Sequence, residues 1–105
     1  MFVVLYRWRV KEGTERQFIE SWSERTAYLL EKYDTLGSRL HRGDDGIWYS
    51  YAQWKSAEQR EQAFKSEADI ISAVQQRFCE AIEENFPEIK LETVSDYLVS
   101  SGESE

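Results

Sequence analysis

The residue types best suited to chemistry are concentrated in one predicted β-hairpin. Two β-prone runs, residues 36–42 and 47–54, flank a Gly-Asp-Asp-Gly segment whose composition is typical of a turn. The first run carries Arg39 and His41, and the second carries two tyrosines and two tryptophans. Arginine binds anions through a planar fork of donors, and histidine exchanges a proton near neutral pH. The hairpin therefore predicts a site that holds a flat, partly polar aromatic molecule and moves a proton.

The number of residues in the turn decides which side chains share a face of the hairpin. With an even turn, Arg42 pairs with Ile47, and Arg39 and His41 share a face with Gly37, Trp48, Ser50, Ala52 and Trp54. With an odd turn, the register shifts by one residue, and Arg39 and His41 lie beside Tyr49 and Tyr51. The sequence leaves both registers open, and each of them brings a polar pair against aromatic rings.

From this hairpin we predict His41, Arg39 and Tyr51 as catalytic residues. The predicted substrate-binding residues are all aromatic: Trp22, Trp48, Tyr49 and Trp54. Each prediction has a simpler alternative. Tryptophans on a helix stripe or a sheet usually pack in a core or a dimer contact, His41 can face solvent, and Arg39 can pair with one of the many acids. Cys79 is expected to be an inert thiol.

The elements that must position these residues are predicted from the order of the hydrophobic patterns. That order is β-α-β-β-α-β, which predicts a ferredoxin-like α+β fold in one domain over residues 2–99. The first strand runs from Phe2 to Val10. Thr14 and Gln17 have the spacing of a capping box for the first helix. The inner stripe of that helix is predicted to contain Phe18, Ile19, Trp22, Thr26, Leu29, Leu30 and Tyr33.

The half of the chain that follows the hairpin is predicted to form helices and a last strand. Ser56 and Gln59 predict the cap of a short helix that extends through Phe64. A longer helix that ends at Pro87 is then predicted to bury Ile70, Ile71, Val74, Phe78, Ile82 and Phe86. The last strand is predicted over Ile89 to Val99, and residues 100–105 are expected to be a disordered tail.

The first strand is apolar on both of its faces. Every even position from 2 to 10 is apolar, and Val3 and Leu5 add apolar side chains to the odd face. One layer of helices covers only one face of a sheet. A second subunit packed sheet to sheet would cover the other face, so the sequence predicts a homodimer.

Composition argues against several classes of partner and cofactor. The chain has 105 residues and a formal net charge of −7, which disfavours nucleic acid and anionic membrane surfaces. One histidine and one cysteine are too few for a zinc site, and no dinucleotide-binding or phosphate-binding motif is present. We therefore expect no cofactor, no metal, no nucleic-acid partner and no membrane partner. The single cysteine and the lack of a leader-like start favour a cytoplasmic protein.

Two stretches resemble the antibiotic biosynthesis monooxygenase (ABM) family of small α+β barrel proteins. They are VVLYRWRVKEGTERQFIESW and LGSRLHRGDDGIWYSYAQWKS, and the resemblance extends over residues 2–99. It implies a homodimer whose two sheets form a barrel, with a hydrophobic cavity between the sheet and the helices of each subunit. It also implies oxygenation of polyaromatic phenols or quinols without metal or flavin, as in some members, by direct reaction of a substrate anion with dioxygen.

Haem-degrading relatives in the same family use an Asn, a Trp and an axial His. This sequence has Tyr6, Arg7 and Trp8 where the Asn would be expected, and the region around Ala63 and Ala73 supplies neither the Trp nor the His. Haem degradation is therefore not expected.

Two functions from different classes are compatible with the sequence. The first is a cofactor-independent monooxygenase acting on a small aromatic phenol or quinol, in which Arg39 holds the phenolate and His41 or Tyr51 relays protons. The second is a small-molecule binding or interaction dimer without chemistry. A position of Arg39 and His41 in a cavity wall would favour the first function, and pairing with surface acids would favour the second.

Overall fold

A computed structural model describes residues 1–65 and 72–99 of the chain. Within these ranges the chain forms four strands and three helices. In chain order they are β1 (Phe2–Val10), α1 (Glu15–Tyr33), β2 (Ser38–Arg42), β3 (Trp48–Trp54), α2 (Ala57–Lys65), α3 (Ser72–Glu80) and β4 (Ile82–Glu92). The strands form one antiparallel sheet in the order β2-β3-β1-β4. The predicted ferredoxin-like α+β fold is confirmed.

The alternation of β1 divides the sheet into a helix-covered inner face and an outer face. Val4 and Trp8 point to the inner face and are 0% and 8% exposed. Phe18 of α1 lies between the rings of Trp8 and Trp48, with both centroid distances at 5.4 Å. Such edge-to-face contacts add to the free energy gained by burying the rings. The core therefore lies between α1, α3 and the inner face.

The first helix differs from the sequence prediction in its N-terminal cap and in the width of its buried stripe. The Thr14 side chain makes no capping bond to α1, because its hydroxyl donates to the Lys11 carbonyl at 2.7 Å. The Gln17 amide donates to the Arg77 carbonyl at 2.8 Å and thereby ties α1 to α3. The predicted capping box is wrong, since a tertiary contact takes Gln17. The predicted stripe is also too wide, because Ile19 and Leu30 are 40% and 46% exposed.

The cap of α2 agrees with the prediction. The Gln59 backbone N–H donates to the Ser56 hydroxyl at 3.1 Å, and the Gln59 side chain accepts a bond from the Lys55 backbone N–H at 2.8 Å. These bonds satisfy backbone donors that the start of a helix leaves without partners.

The largest difference from the sequence prediction lies at Phe86 and Pro87. The helix ends at Glu80, and Ile82 and Phe86 belong to β4 rather than to a helix. A spacing of four residues fits both the helical and the strand period, so pairing with β1 decides the outcome. Pro87 lies at the register shift of β4, an edge strand, where the missing N–H costs little.

The prediction of a last strand over residues 89–99 is likewise wrong beyond Glu92. Residues 93–99 have no regular secondary structure. The predicted buried residues Ile70 and Ile71 and the predicted disordered tail at 100–105 lie outside the described residues.

Candidate functional site

The β2–β3 turn contains five residues, 43–47, and therefore selects the odd register. The Gly43 N–H donates to the Ile47 carbonyl at 2.7 Å, and the Gly46 N–H donates to the Gly43 carbonyl at 3.0 Å. Gly46 has a positive φ of 82°, which glycine adopts without a steric penalty. The even register considered above is wrong, because Ile47 belongs to the turn and Arg42 pairs with Trp48.

This register places the predicted catalytic residues together on the outer face. His41 pairs with Tyr49, and Arg39 pairs with Tyr51. Directly opposite residues of an antiparallel pair share a face, so these four side chains lie on one surface. On the next strand, Leu5 pairs with Tyr51 and continues the row of Arg39. The side chains therefore change from polar at the edge strand β2 to apolar at the centre of the sheet.

These residues line a groove of about 600 Å³, within the range of volumes typical of small-molecule sites. We call it the outer groove. Its walls include Leu5, Leu36, Arg39, His41, Tyr49 and Tyr51. The groove is open to solvent in the isolated chain. All three predicted catalytic residues lie in its wall.

The polar groups of the outer groove differ in whether they already form a hydrogen bond within the protein. Arg39, His41 and the Tyr51 hydroxyl have no hydrogen bond or ion pair within residues 1–65 and 72–99. The Tyr49 hydroxyl, in contrast, donates to the Asp45 carboxylate at 2.7 Å. That hydrogen bond raises the pKa of Tyr49 and lowers the pKa of Asp45. The groove thus offers a cation, an imidazole and a phenol for contact with a bound molecule.

The three predicted substrate-binding tryptophans lie on the other side of the sheet. Trp48 and Trp54 are 6% and 4% exposed on the inner face, and Trp22 of α1 donates to the Ser50 hydroxyl at 3.2 Å. The Arg42 guanidinium lies 4.5 Å from the ring centroid of Trp48. The pairing of β3 with the inner-face residues of β1 turns Trp48, Ser50, Ala52 and Trp54 toward the helices. The odd turn then places Arg39 and His41 on the opposite face. Of the predicted substrate-binding residues, Tyr49 lines the outer groove.

A polar cluster on the inner face was missed by the sequence analysis. The Arg60 guanidinium of α2 donates to the Tyr6 hydroxyl at 3.0 Å, forms an ion pair with Glu88, and lies 4.5 Å from the Phe64 ring centroid. Burial raises the pKa of Tyr6, and the Arg60 hydrogen bond acts in the opposite direction. A tyrosine on an otherwise apolar strand face was the available signal, because a buried hydroxyl requires a partner.

Two further polar atoms near this cluster are buried without a hydrogen-bond partner in the described part of the chain. They are the Trp54 indole nitrogen and the Tyr33 hydroxyl oxygen. Trp54 and Tyr33 belong to the same core cluster as Tyr6. Buried polar atoms of this kind commonly contact a water or a ligand. The inner face therefore holds a second group of polar aromatic side chains, on the side where the family resemblance implies a cavity.

No three His, Cys, Asp or Glu side chains of the described residues converge on a position that could hold a metal ion. Among the described helices, none has the length and apolarity needed to cross a bilayer.

The sequence matches the profile of a known protein family. The sequence profile of the antibiotic biosynthesis monooxygenase family matches residues 1–84. No curated protein matches the sequence.

Several solved structures share the fold at low sequence identity. A candidate antibiotic biosynthesis monooxygenase from Bordetella bronchiseptica is similar at 16% identity and a TM-score of 0.75, over 90% of this chain and 97% of that one. A candidate from Caulobacter crescentus is similar at 13% identity and a TM-score of 0.75, over 90% of both chains. SnoaB, a cofactor-independent oxygenase from Streptomyces nogalater, is similar at 10% identity and a TM-score of 0.74, over 91% of this chain and 95% of that one.

Proposed function

Because the chain belongs to the antibiotic biosynthesis monooxygenase family, we propose that it oxygenates a small aromatic phenol or quinol without a metal or an organic cofactor. One observation carries this proposal. The outer groove brings together the guanidinium of Arg39, the imidazole of His41 and the hydroxyl of Tyr51, and within the described part of the chain none of these groups has a hydrogen-bond partner. The apolar side chains of Leu5 and Leu36 line the same groove. The fold shared with SnoaB, a cofactor-independent oxygenase, supports the same type of reaction.

Each of the three polar residues has a role in this proposal. Arg39 pairs with the phenolate oxygen and thereby lowers the pKa of the bound phenol. His41, which lies two residues along the same strand, accepts the phenol proton as general base. Tyr51, directly opposite Arg39, relays a proton to the peroxide formed later. The aromatic ring of the substrate lies against the apolar wall.

The reaction consumes the phenol and dioxygen and balances without another reductant. The phenolate transfers one electron to dioxygen, and the resulting substrate radical and superoxide combine at a ring carbon that carries hydrogen. This step forms a C–O bond, and protonation gives a hydroperoxide. Loss of the ring hydrogen as a proton and cleavage of the O–O bond then give a quinone and water. The protein supplies orientation, exclusion of water and the proton transfers.

The exclusion of water requires a cover over the outer face, and we propose that a second copy of this chain provides it. Leu36, Ile89 and Leu91 are 42%, 38% and 41% exposed, and Val94 and Leu98 are 87% and 79% exposed. Apolar surface of this kind is typical of a protein interface. A homodimer formed through the outer faces would bury it and enclose the groove.

The test is an oxygen-electrode assay of the metal-free protein with a panel of hydroquinones and anthrones. We expect dioxygen uptake above the autoxidation background. His41→Ala should lower it by about a hundredfold or more, which is the low end of the effect of a general base, and Arg39→Ala should lower it as well. Arg42→Ala is the matched control, since Arg42 lies on the same strand and faces the opposite side. Equal losses in all three variants would contradict a site in the outer groove.

The second candidate is a small-molecule binding dimer without chemistry. Two observations favour it. The groove is open to solvent in the isolated chain, and Trp22, Trp48 and Trp54 pack in the core at the inner face rather than in the groove. Saturable binding of the same aromatic compounds without any uptake of dioxygen would support this function instead. The variant Trp54→Phe removes an indole N–H that has no hydrogen-bond partner among the described residues, so a loss of affinity for these compounds in this variant would indicate binding at the inner face.

A further inference from the structure

The segment after β4 carries the most exposed apolar side chains of the described residues. Residues 93–99 have no regular secondary structure, and we call them the 93–99 arm. The large apolar side chains of this arm are between 79% and 95% exposed, and they are Val94, Tyr97, Leu98 and Val99. No other large apolar side chain of the described residues is more than 47% exposed. The strongly exposed apolar surface is therefore confined to one short stretch.

Hydrogen bonds attach the 93–99 arm to the sheet at its first residue. The Thr93 backbone N–H donates to the Met1 carbonyl at 3.4 Å and continues the pairing of β4 with β1. Beyond Thr93, the arm makes no hydrogen bond to the other residues that the structure describes. The bond that it does make is internal, because the Leu98 backbone N–H donates to the Asp96 carboxylate at 2.9 Å. The arm thus holds its own local turn and leaves its apolar side chains available for contact.

The 93–99 arm lies beside the outer face of its own sheet without packing closely against it. An open cleft of about 550 Å³ lies between them, and its walls include Val3, Tyr51 and Leu91 of the sheet and Val94, Tyr97 and Leu98 of the arm. A packed protein interior leaves few voids larger than a water molecule. The described part of this chain therefore does not supply the surface that would bury the arm.

The outer face is a second apolar surface of the same chain. Ile89 and Leu91 of β4 pair with Leu5 and Val3 of β1 and are 38% and 41% exposed on this face. An apolar segment and an apolar face thus lie on one molecule, each without a cover among the described residues. Two copies related by a twofold axis cover both surfaces at once, because each copy offers one arm and one face. A second copy of this chain is therefore the partner that fits.

We propose that the 93–99 arm of each subunit packs against the outer face of the other subunit, so that the two copies exchange arms across the interface. Seven extended residues span about 23 Å, and a sheet of four strands is about 14 Å wide between its first and last strand. The arm is therefore long enough to cross the sheet of the other subunit. The inference rests on the proposed function, in that it assumes the homodimer described there, and it names the segment that forms the interface.

The area of the two arms agrees with this role. A tyrosine buries about 150–250 Å², and Tyr97 is 95% exposed in the isolated chain. With their aliphatic side chains included, the two arms offer roughly half of the area that a stable interface buries, which is about 1,200–2,000 Å². The two outer faces would supply the remainder.

The first measurement is isotope-filtered NOE spectroscopy on an equal mixture of carbon-13-labelled and unlabelled protein, which detects contacts between copies alone. We expect NOEs between the copies from Tyr97 and Leu98 of the arm to Ile89 and Leu91 of the outer face. The second measurement is sedimentation of variants. Each apolar side chain contributes about tenfold to affinity and occurs twice in a dimer, so Tyr97→Ser and Leu98→Ser should each raise the dimer Kd about a hundredfold. Both side chains are exposed in the isolated chain, so these variants should still fold.

Leu30→Ser is the matched control, because Leu30 is 46% exposed on α1, which covers the inner face. It should leave the dimer Kd unchanged. A dimer in which every NOE of the arm arises within one copy, or arm variants that dissociate no more than Leu30→Ser, would overturn the inference and leave the homodimer intact. A wild-type monomer at micromolar concentration would overturn both. The expected NOEs without any dioxygen uptake in the electrode assay would overturn the oxygenase function and support the exchange of arms.

Discussion

Gly43 is the position at which the smallest side chain should disturb the outer groove most directly. In Gly43→Ala, the new Cβ would lie 2.5 Å from the Asp45 carboxylate, 2.7 Å from the Tyr49 ring and 3.0 Å from the Ile47 carbonyl. The Asp45 and Tyr49 side chains can rotate away, but the Ile47 carbonyl belongs to the backbone of the turn. The variant must therefore move Asp45 and Tyr49 apart or open the turn.

The expected cost is that of forcing a methyl group into a closely packed site, about 1–3 kcal/mol in the free energy of unfolding. Gly46→Ala is the matched control in the same turn. Its Cβ would meet no atom within 4 Å, and its φ of +82° makes the variant strained in the backbone alone. That strain costs about 1–2 kcal/mol. The two variants thus lose similar stability for different reasons.

The titration of Tyr49, followed by NMR, separates these reasons. The Asp45 hydrogen bond raises the pKa of Tyr49, so Gly43→Ala should return that pKa toward the ordinary value of tyrosine. Gly46→Ala should leave it raised. Urea unfolding gives the stability of both variants. A Gly43→Ala protein with wild-type stability and an unchanged Tyr49 titration would refute the packing of this turn.

Three further predictions concern the core, the inner cluster and the outer face. Phe18→Ala should cost about 3–5 kcal/mol in urea unfolding, because Phe18 is fully buried, whereas Leu30→Ala, 46% exposed, should cost less than about 1 kcal/mol. Burial raises the pKa of Tyr6, so its contribution to stability should be complete below about pH 10 and decline as the pH rises through the raised value. Tyr6→Phe should abolish that part of the alkaline decline, and an unchanged decline would contradict a buried Tyr6. Leu91→Glu should convert the expected dimer to a monomer in sedimentation, and a wild-type monomer at micromolar concentration would contradict the homodimer itself.

Much of the fold could be predicted from local pattern. Local pattern identified β1, α1 and the hairpin, because their apolar residues repeat with a period that fits either a helix or a strand clearly better than the alternative. The prediction failed at Ile82 and Phe86, whose spacing fits a helix and a strand equally well. Pairing of β4 with β1 resolved that ambiguity, and such a pairing is remote in sequence.

The candidate site was predictable in composition and not in geometry. Arg39, His41, Tyr49 and Tyr51 were all identified as residue types, yet their grouping depended on whether Ile47 belongs to the strand or to the turn. Tyr6 on the apolar face of β1 indicates that a buried hydroxyl needs a partner, but that partner, Arg60, lies 54 positions away, so no local pattern identifies it.

The sequence by itself determined the order of elements, the apolar character of both faces of β1 and the residue types available for chemistry, because these depend on side-chain periodicity and identity alone. Tertiary structure decided the hairpin register, the separation of the tryptophans from the outer groove and the helix-to-strand change at β4. The physical reason is that side chains alternate between the two faces of a strand with a period of two residues. One residue more or less in a turn therefore changes which side chains of the two joined strands share a face, and the hydrogen bonds that close the turn decide this.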